Sequence, residues 1–267
     1  MNLRDELCGI VPDERLEKFP SHFSLVGEVA VISILPELEG QKKKIGEAII
    51  SDHKNVKTVL NKISKLEGER RVASFEVLAG GDTVTCHREF GFAYKLDVAR
   101  VFFNPRLGRE RMRVRSKARA GERAIIPFAG VGPFAISIAA AGARVLALEI
   151  SPEACRWQAK NVRLNRVESN VEIVNCDAFA FVLCGHLKHK FDRAVVPTPY
   201  GRDEILDSIT PIVKPGGTIH FYTFKKRHQI EGLIREFKEK GLVVEFHRRC
   251  GNVAPGVSRW VFDLVKF

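Results

Sequence analysis

The segment Phe128-Ala129-Gly130-Val131-Gly132-Pro133-Phe134 sets two glycines two residues apart, between an apolar run and an apolar helical stretch. Glycines allow a tight turn and let the backbone approach a ligand, while the following helix offers its N-terminal amides. The third glycine of a dinucleotide fingerprint is missing, so pyrophosphate binding is disfavoured. A second chemical signal is Glu149, which closes the next apolar run, LALEISP. A carboxylate at that strand end can accept hydrogen bonds from both hydroxyls of a ribose. Asp177, in VNCDAF after the third run, can accept from an adenine amino group. A lone GxG turn is a weak signal. Turn, ribose acid and adenine acid at three successive strand ends are together the pattern of an S-adenosylmethionine site, with Phe128, Gly130, Gly132, Glu149 and Asp177 as its contacts.

Those residues need a sheet whose strands all end on one edge, and the pattern from Ala124 onward provides it. AIIPFAG, RVLALEI, VEIVNC, FDRAVV and GTIHFYTF read as strands. Between them lie the helical segments VGPFAISIAAAGA, SPEACRWQAKNVRLN and GRDEILDSITPIV. Ser151 is the expected N-cap of the second, with Pro152 at its first position. RHQIEGLIREFKEKG is an amphipathic helix ending at Gly241, and LVVEFHRRC and SRWVFDLVKF form an antiparallel pair. Alternating strands and helices predict an α/β fold with a doubly wound, Rossmann-like parallel sheet. Residues 1–104 are expected to form a smaller α/β domain that positions RNA. LVGEVAVISI reads there as one strand, LEGQKKKIGEAIISDH as a helix, and RVASFEVLAG with GDTVTCHREF as a hairpin about Gly80-Gly81-Asp82. The catalytic domain then spans 105–267, opening with the basic, helical connector PRLGRERMRVRSKARAGER.

Composition narrows the function. A net charge of +11 is concentrated at Lys42-Lys43-Lys44, between Arg106 and Arg123, and at Lys225-Lys226-Arg227-His228, which favours a polyanionic partner. No run is long and apolar enough for a membrane span, and the start lacks the pattern of a secretory signal, so a cytoplasmic protein without a membrane partner is expected. The six cysteines are scattered without a CxxC pair, which predicts free thiols and no zinc site. His220 lies in a core strand and reads as structural. Trp157 and Trp260 read as packing residues. Arg248 and Arg249 suit phosphate contacts, and Cys250 beside them could have a lowered pKa, with no role assigned.

With these motifs in view, the chain resembles the archaeal and eukaryotic tRNA guanine-37 N1-methyltransferases, the Met-10-like family. FAGVGPF, LEISPEA, NVRLN, HKNVKTVL, GERR before FEVLAG, LDVARVFFNPRLGRER, GGTIHFYTF and RRCGNVAPGV carry the likeness from about residue 20 to the end. The resemblance implies S-adenosylmethionine as cofactor and the anticodon-loop guanine of tRNA as substrate. It implies Glu110, in PRLGRER, as the general base for the guanine N1 proton, and Arg71 as the group that stabilises charge on O6. Pro197-Thr198-Pro199 would shape the target-base pocket, with Pro197 and Pro199 as its walls, and Arg111 is assigned to the cofactor. Without the resemblance, Glu110 and Arg71 read as surface ion-pair residues. Ile126-Pro127 stands where most relatives carry an aspartate, Pro197 where some carry an asparagine, and Phe102 where tyrosine is common. The family's elbow-gripping N-terminal module is expected to be absent, and a monomer is expected.

Four alternatives accompany this reading. The wybutosine-pathway aminocarboxypropyltransferase shares fold and cofactor, and a methylase of a wyosine precursor would act at the same tRNA position. A catalytically weak RNA-binding protein would bind no cofactor saturably. A protein or small-molecule methyltransferase would show no salt-sensitive tRNA binding.

Overall fold

The structure, a computed structural model, describes residues 7–9, 11, 13–16, 22–64, 73–183 and 187–267. The chain divides into two compact units, Met1–Pro105 and Arg106–Phe267. Arg71 and Cys184 lie outside the described residues.

In the N-terminal unit, a helical turn α1 (Asp13–Leu16) precedes the strands β1 (Ser24–Val26) and β2 (Val29–Ile32). Gly27, at φ +56°, turns the chain between them, so the expected single strand LVGEVAVISI is a tight antiparallel pair. Helix α2 (Lys42–Asp52) follows, then β3 (Thr58–Lys62), parallel to β2, and β4 (Phe75–Ala79), antiparallel to β3. Ile45 and Ile49 of α2 pack with Ala30, Val59 and Leu78 of this sheet. The expected hairpin about Gly80-Gly81-Asp82 does not form. β5 (Val84–Glu89) pairs instead with β6 (Phe92–Asp97) in a separate two-stranded sheet. The cause is a docking contact: the Thr58 hydroxyl donates to the Asp82 carbonyl at 2.8 Å, and a Cβ on Gly80 would lie 2.1 Å from the Lys57 carbonyl oxygen. The glycines therefore press the chain against β3 and lead it away, where two free residues would have reversed it.

The C-terminal unit begins with α3 (Gly108–Lys117) and continues as β7 (Arg123–Ile126), α4 (Pro133–Ala139), β8 (Arg144–Glu149), α5 (Pro152–Leu164), β9 (Val171–Asn175), α6 (Ala178–Leu183) and β10 (Phe191–Val196). After α7 (Ile205–Ile209) come β11 (Val213–Lys225), α8 (Ile230–Glu239), β12 (Leu242–Ala254) and β13 (Val257–Lys266). The seven strands lie in the order β12-β13-β11-β10-β7-β8-β9, parallel throughout except for the β12–β13 hairpin, which closes antiparallel on β11. The Ser151 hydroxyl accepts from the Ala154 amide at 3.3 Å, as the N-cap expectation required. The helix expected over GRDEILDSITPIV is shorter, because Ile209 passes into a 3-10 turn at Thr210–Ile212 around Pro211. No described helix is long and apolar enough to cross a membrane.

Candidate active site

Strand order reverses between β7 and β10: β8 and β9 lie on one side, β11 on the other. In open α/β sheets the crevice outside the carboxyl ends at such a switch point is where ligands bind. The glycine turn leaves β7 at this point. Phe128 takes a left-handed φ of +57°, a costly conformation for an aromatic residue, followed by Gly130 at +57° and Gly132 at +91°. Hydrogen bonds compel this path. Ala129 donates to the Leu148 carbonyl at 2.9 Å, and Gly132 to the Ala129 carbonyl at 3.0 Å. A Cβ on Gly132 would lie 2.8 Å from Gln158 Cγ, so the backing helix demands glycine there. Behind the turn, Asn161 donates to the Val131 carbonyl at 3.1 Å.

Glu149 faces this turn from the end of β8. Its Oε2 accepts from the Gly130 amide at 2.8 Å and its Oε1 from the Ser151 amide at 2.9 Å. Desolvation raises its pKa, partly countered by those amides. Each oxygen keeps a lone pair, and the residue is only partly buried. A carboxylate desolvated without a cation suits a ligand that brings hydroxyl donors. Asp177 is exposed at the carboxyl end of β9, where one oxygen accepts from the Phe179 amide at 3.0 Å. The Phe179 ring meets Phe128 at 6.0 Å between centroids. The glycine turn, Glu149 and Asp177 thus share one edge, and their donors and acceptors fit an adenosine cofactor. Pro197-Thr198-Pro199 follows β10 on the other side of the switch point, held by the Thr198 amide on the Val196 carbonyl at 2.8 Å.

Glu110 is not on a solvated helix face. It is 3% exposed on α3, whose buried face also holds Arg111 and Val114. Its Oε2 accepts from Arg113 Nε at 3.0 Å and from the Tyr222 hydroxyl at 3.1 Å. Its Oε1 accepts from Arg248 Nε at 2.8 Å and from Arg248 Nη2. Four donors saturate the carboxylate. Of these partners, Arg248 has the exposed side chain, at 45%. Burial, and then the Glu110 charge, raise the Tyr222 pKa far above its ordinary value, so the phenol stays a donor. The Tyr222 ring also meets Phe134 at 5.4 Å. One side chain therefore joins Glu110 to the helix that opens at the glycine turn.

A second carboxylate supports this cluster from below. Asp263 is fully buried and accepts from Arg113 Nη1 at 2.6 Å, Lys117 Nζ at 2.7 Å and His220 Nδ1 at 2.6 Å. Burial would raise its pKa, but bonds from His220 and Arg113 hold it well below the carboxylate range. Arg193 donates to His220 Nε2, which must then be unprotonated. His220 is neutral, its pKa lowered first by desolvation against the pull of Asp263. One expectation fails here. Cys250 is not activated: burial and then the Glu110 charge push its thiol up to about 12. Arg248 and Arg249 are both exposed, and Arg248 is engaged by Glu110. Cys8, Cys86, Cys155, Cys176 and Cys250 are free thiols.

The TRM5/TYW2 methyltransferase domain profile matches residues 85–246, and the TYW2 N-terminal domain profile matches residues 3–83. The chain belongs to the TRM5/TYW2 methyltransferase family. S-adenosylmethionine is the cofactor of this methyltransferase domain. Among its relatives, the tRNA (guanine(37)-N(1))-methyltransferase Trm5b of Pyrococcus abyssi is 41% identical, over 92% of this chain and 74% of that protein. The tRNA(Phe) (4-demethylwyosine(37)-C(7)) aminocarboxypropyltransferase of Pyrococcus horikoshii is 33% identical, over 99% of this chain and 96% of its own length. The structure of aTrm5 in complex with tRNALeu superposes with a TM-score of 0.90 at 30% identity, covering 100% of this chain and 78% of that one. Sequence reasoning named Glu110 but missed Tyr222, Arg113 and Asp263. Their only sequence signals were a tyrosine and an aspartate in apolar strands.

Proposed function

We propose that this family member transfers the methyl group of S-adenosylmethionine to N1 of guanine-37 in a tRNA anticodon loop. The observation that supports the reading is the Phe134–Tyr222–Glu110 chain, which links a buried carboxylate through Tyr222 to the helix that follows the glycine turn. When bound, the cofactor supplies an electrophilic methyl group on a sulfonium sulfur. Glu149 and Asp177 hold its ribose and adenine, while Phe128, Gly130, Gly132 and Arg111 frame the rest of the site. The target guanine sits out of its stack beside Pro197 and Pro199. Its N1 carries a proton at neutral pH, which Glu110 would accept as the new N–C bond forms and the methyl–sulfur bond breaks, its electron pair staying on sulfur as a neutral thioether. Arg248, the exposed one of its four-donor set, must release the carboxylate first. The family resemblance assigns to Arg71, which lies outside the described residues, the stabilising of charge left on O6. The N-terminal unit positions the RNA, in a cytoplasmic, monomeric enzyme.

A second reading is aminocarboxypropyl transfer to the same tRNA position. The match of residues 3–83 to the TYW2 N-terminal domain, and the near full-length similarity to the Pyrococcus horikoshii enzyme, support it. One experiment separates the two. Purified protein is incubated with tRNA, unmodified or carrying the wyosine precursor, and with cofactor labelled in either the methyl or the aminocarboxypropyl carbons. Methyl label in guanine-37, with Glu110→Gln slowed about 10²–10⁴-fold, is the expected result. Label only from the aminocarboxypropyl carbons would replace methyl transfer by the second reading. Unimpaired Glu110→Gln would remove the base assignment alone.

A further inference from the structure

The β12–β13 hairpin borders a cleft of about 800 Å³, lined by Arg227, Arg249, Asn252, Gly256, Ser258 and Trp260 among others. Strand register fixes its place. Trp260 lies opposite Thr223, and Ser258 opposite Lys225, so the hairpin tip stands at the carboxyl end of β11. That is the edge that carries the glycine turn and Pro197–Pro199. In the order β13-β11-β10-β7 the strand that carries the tip is offset sideways from the strand of the turn by three spacings, about 14 Å at roughly 4.8 Å each.

The lining has a definite chemistry. Arg227 and Arg249 are exposed, and no acid is among the described residues that line the cleft. Arg249 differs from its neighbour Arg248, whose guanidinium is bound to Glu110. The Trp260 indole donates to the Lys225 carbonyl at 3.2 Å, which orients the ring at the cleft wall. The Ser258 hydroxyl donates to Asn252 Oδ1 at 3.2 Å and ties the two strands of the tip together. Guanidinium forks match phosphate oxygens, and an indole accepts any base by stacking. The indole is half-buried, packed against the sheet core and 6.4 Å from the His247 ring, and an apolar ligand beside it would leave two guanidinium groups uncompensated.

We infer that this cleft binds a backbone phosphate and a stacked base of an RNA nucleotide flanking the one at the cofactor edge. The inference rests on the tRNA reading given above. Arg227 and Arg249 hold the phosphate, and Trp260 carries the base.

The chain has two tryptophans, so Trp157→Phe leaves Trp260 as the sole indole and a direct reporter. Unmodified tRNA transcript should quench its fluorescence saturably. Arg227→Ala and Arg249→Ala should each reduce the slope of log affinity against log salt by about one. The affinity lost between 50 and 200 mM salt then shrinks roughly threefold per arginine. S-adenosylmethionine affinity should stay at the wild-type value in both variants, which reports an intact fold. Unchanged slopes in variants of a protein that binds tRNA would overturn the cleft and leave the function standing. A protein that binds cofactor but no tRNA would overturn the tRNA reading and the RNA occupant together. Equal quenching by inorganic phosphate alone would overturn the RNA occupant in favour of a small anion.

Discussion

Glu149 at the cofactor edge and Asp263 in the interior are both carboxylates on strands of the same sheet, and the chain surrounds them differently. Glu149 is partly exposed, meets backbone amides and has its pKa raised. Asp263 is sealed, meets Arg113, Lys117 and His220, and has its pKa held down. Amide donors leave lone pairs that a ligand can take, while cations spend the charge inside the protein. Glu110 lies between these cases: buried like Asp263, yet holding one exposed partner in Arg248. The arrangement separates a carboxylate with lone pairs left open, one sealed among side-chain donors, and one buried with a single exposed partner.

Breaking the interior carboxylate should have the largest effect on stability. Asp263→Asn leaves the Arg113 guanidinium and Lys117 short of a buried counter-charge, so we expect a loss of about 3–5 kcal/mol in chemical denaturation. A loss below about 1 kcal/mol would mean the cluster does not hold α3 on the sheet. At the edge, Glu149→Gln should cost about 10–100-fold in S-adenosylmethionine affinity by calorimetry, since a charge-assisted hydrogen bond contributes roughly 1.5–3 kcal/mol. Unaltered affinity would dissolve the contrast between the two acids.

The smallest effect sharpens the picture of the interior. The folded-state pKa of His220 is lowered, so its contribution to stability is fully present above the unfolded value near 6.5 and declines as pH falls below it. The slope from this one group is at most about 1.4 kcal/mol per pH unit. His220→Gln should flatten the pH dependence of unfolding between pH 6.5 and 5 relative to wild type. An unchanged profile would mean that the imidazole is charged in the folded state, against the donor geometry of Arg193.

Most of the C-terminal unit was legible before any coordinates. The glycine turn, Glu149, Asp177 and the Ser151 cap are local signals, because each depends on a strand end or on a helix start beside it in the chain. The hairpin expected at Gly80-Gly81-Asp82 failed because a turn motif reports chain reversal only when nothing else captures it, and here β3 does. Without the family resemblance, Glu110 in PRLGRER reads as a surface ion-pair residue, and the structure buries it for a related reason. Charged residues look solvent-facing until partners distant in sequence, Asp263, Tyr222 and Arg248, neutralise or satisfy them. The same distance hid the fact that Arg248 and Arg249, adjacent in the chain, serve different surroundings.

By itself the sequence determined the alternation of strands and helices, the cofactor turn and the acids that follow it, since side-chain period and backbone freedom act over a few residues. Only the tertiary structure decided that Glu110 is buried and saturated, that His220 is neutral, and which arginine of the pair meets Glu110. Those properties depend on hydrogen bonds and desolvation among groups more than 100 residues apart for Glu110 and 27 and 43 apart for His220, and no local pattern encodes which charges will meet.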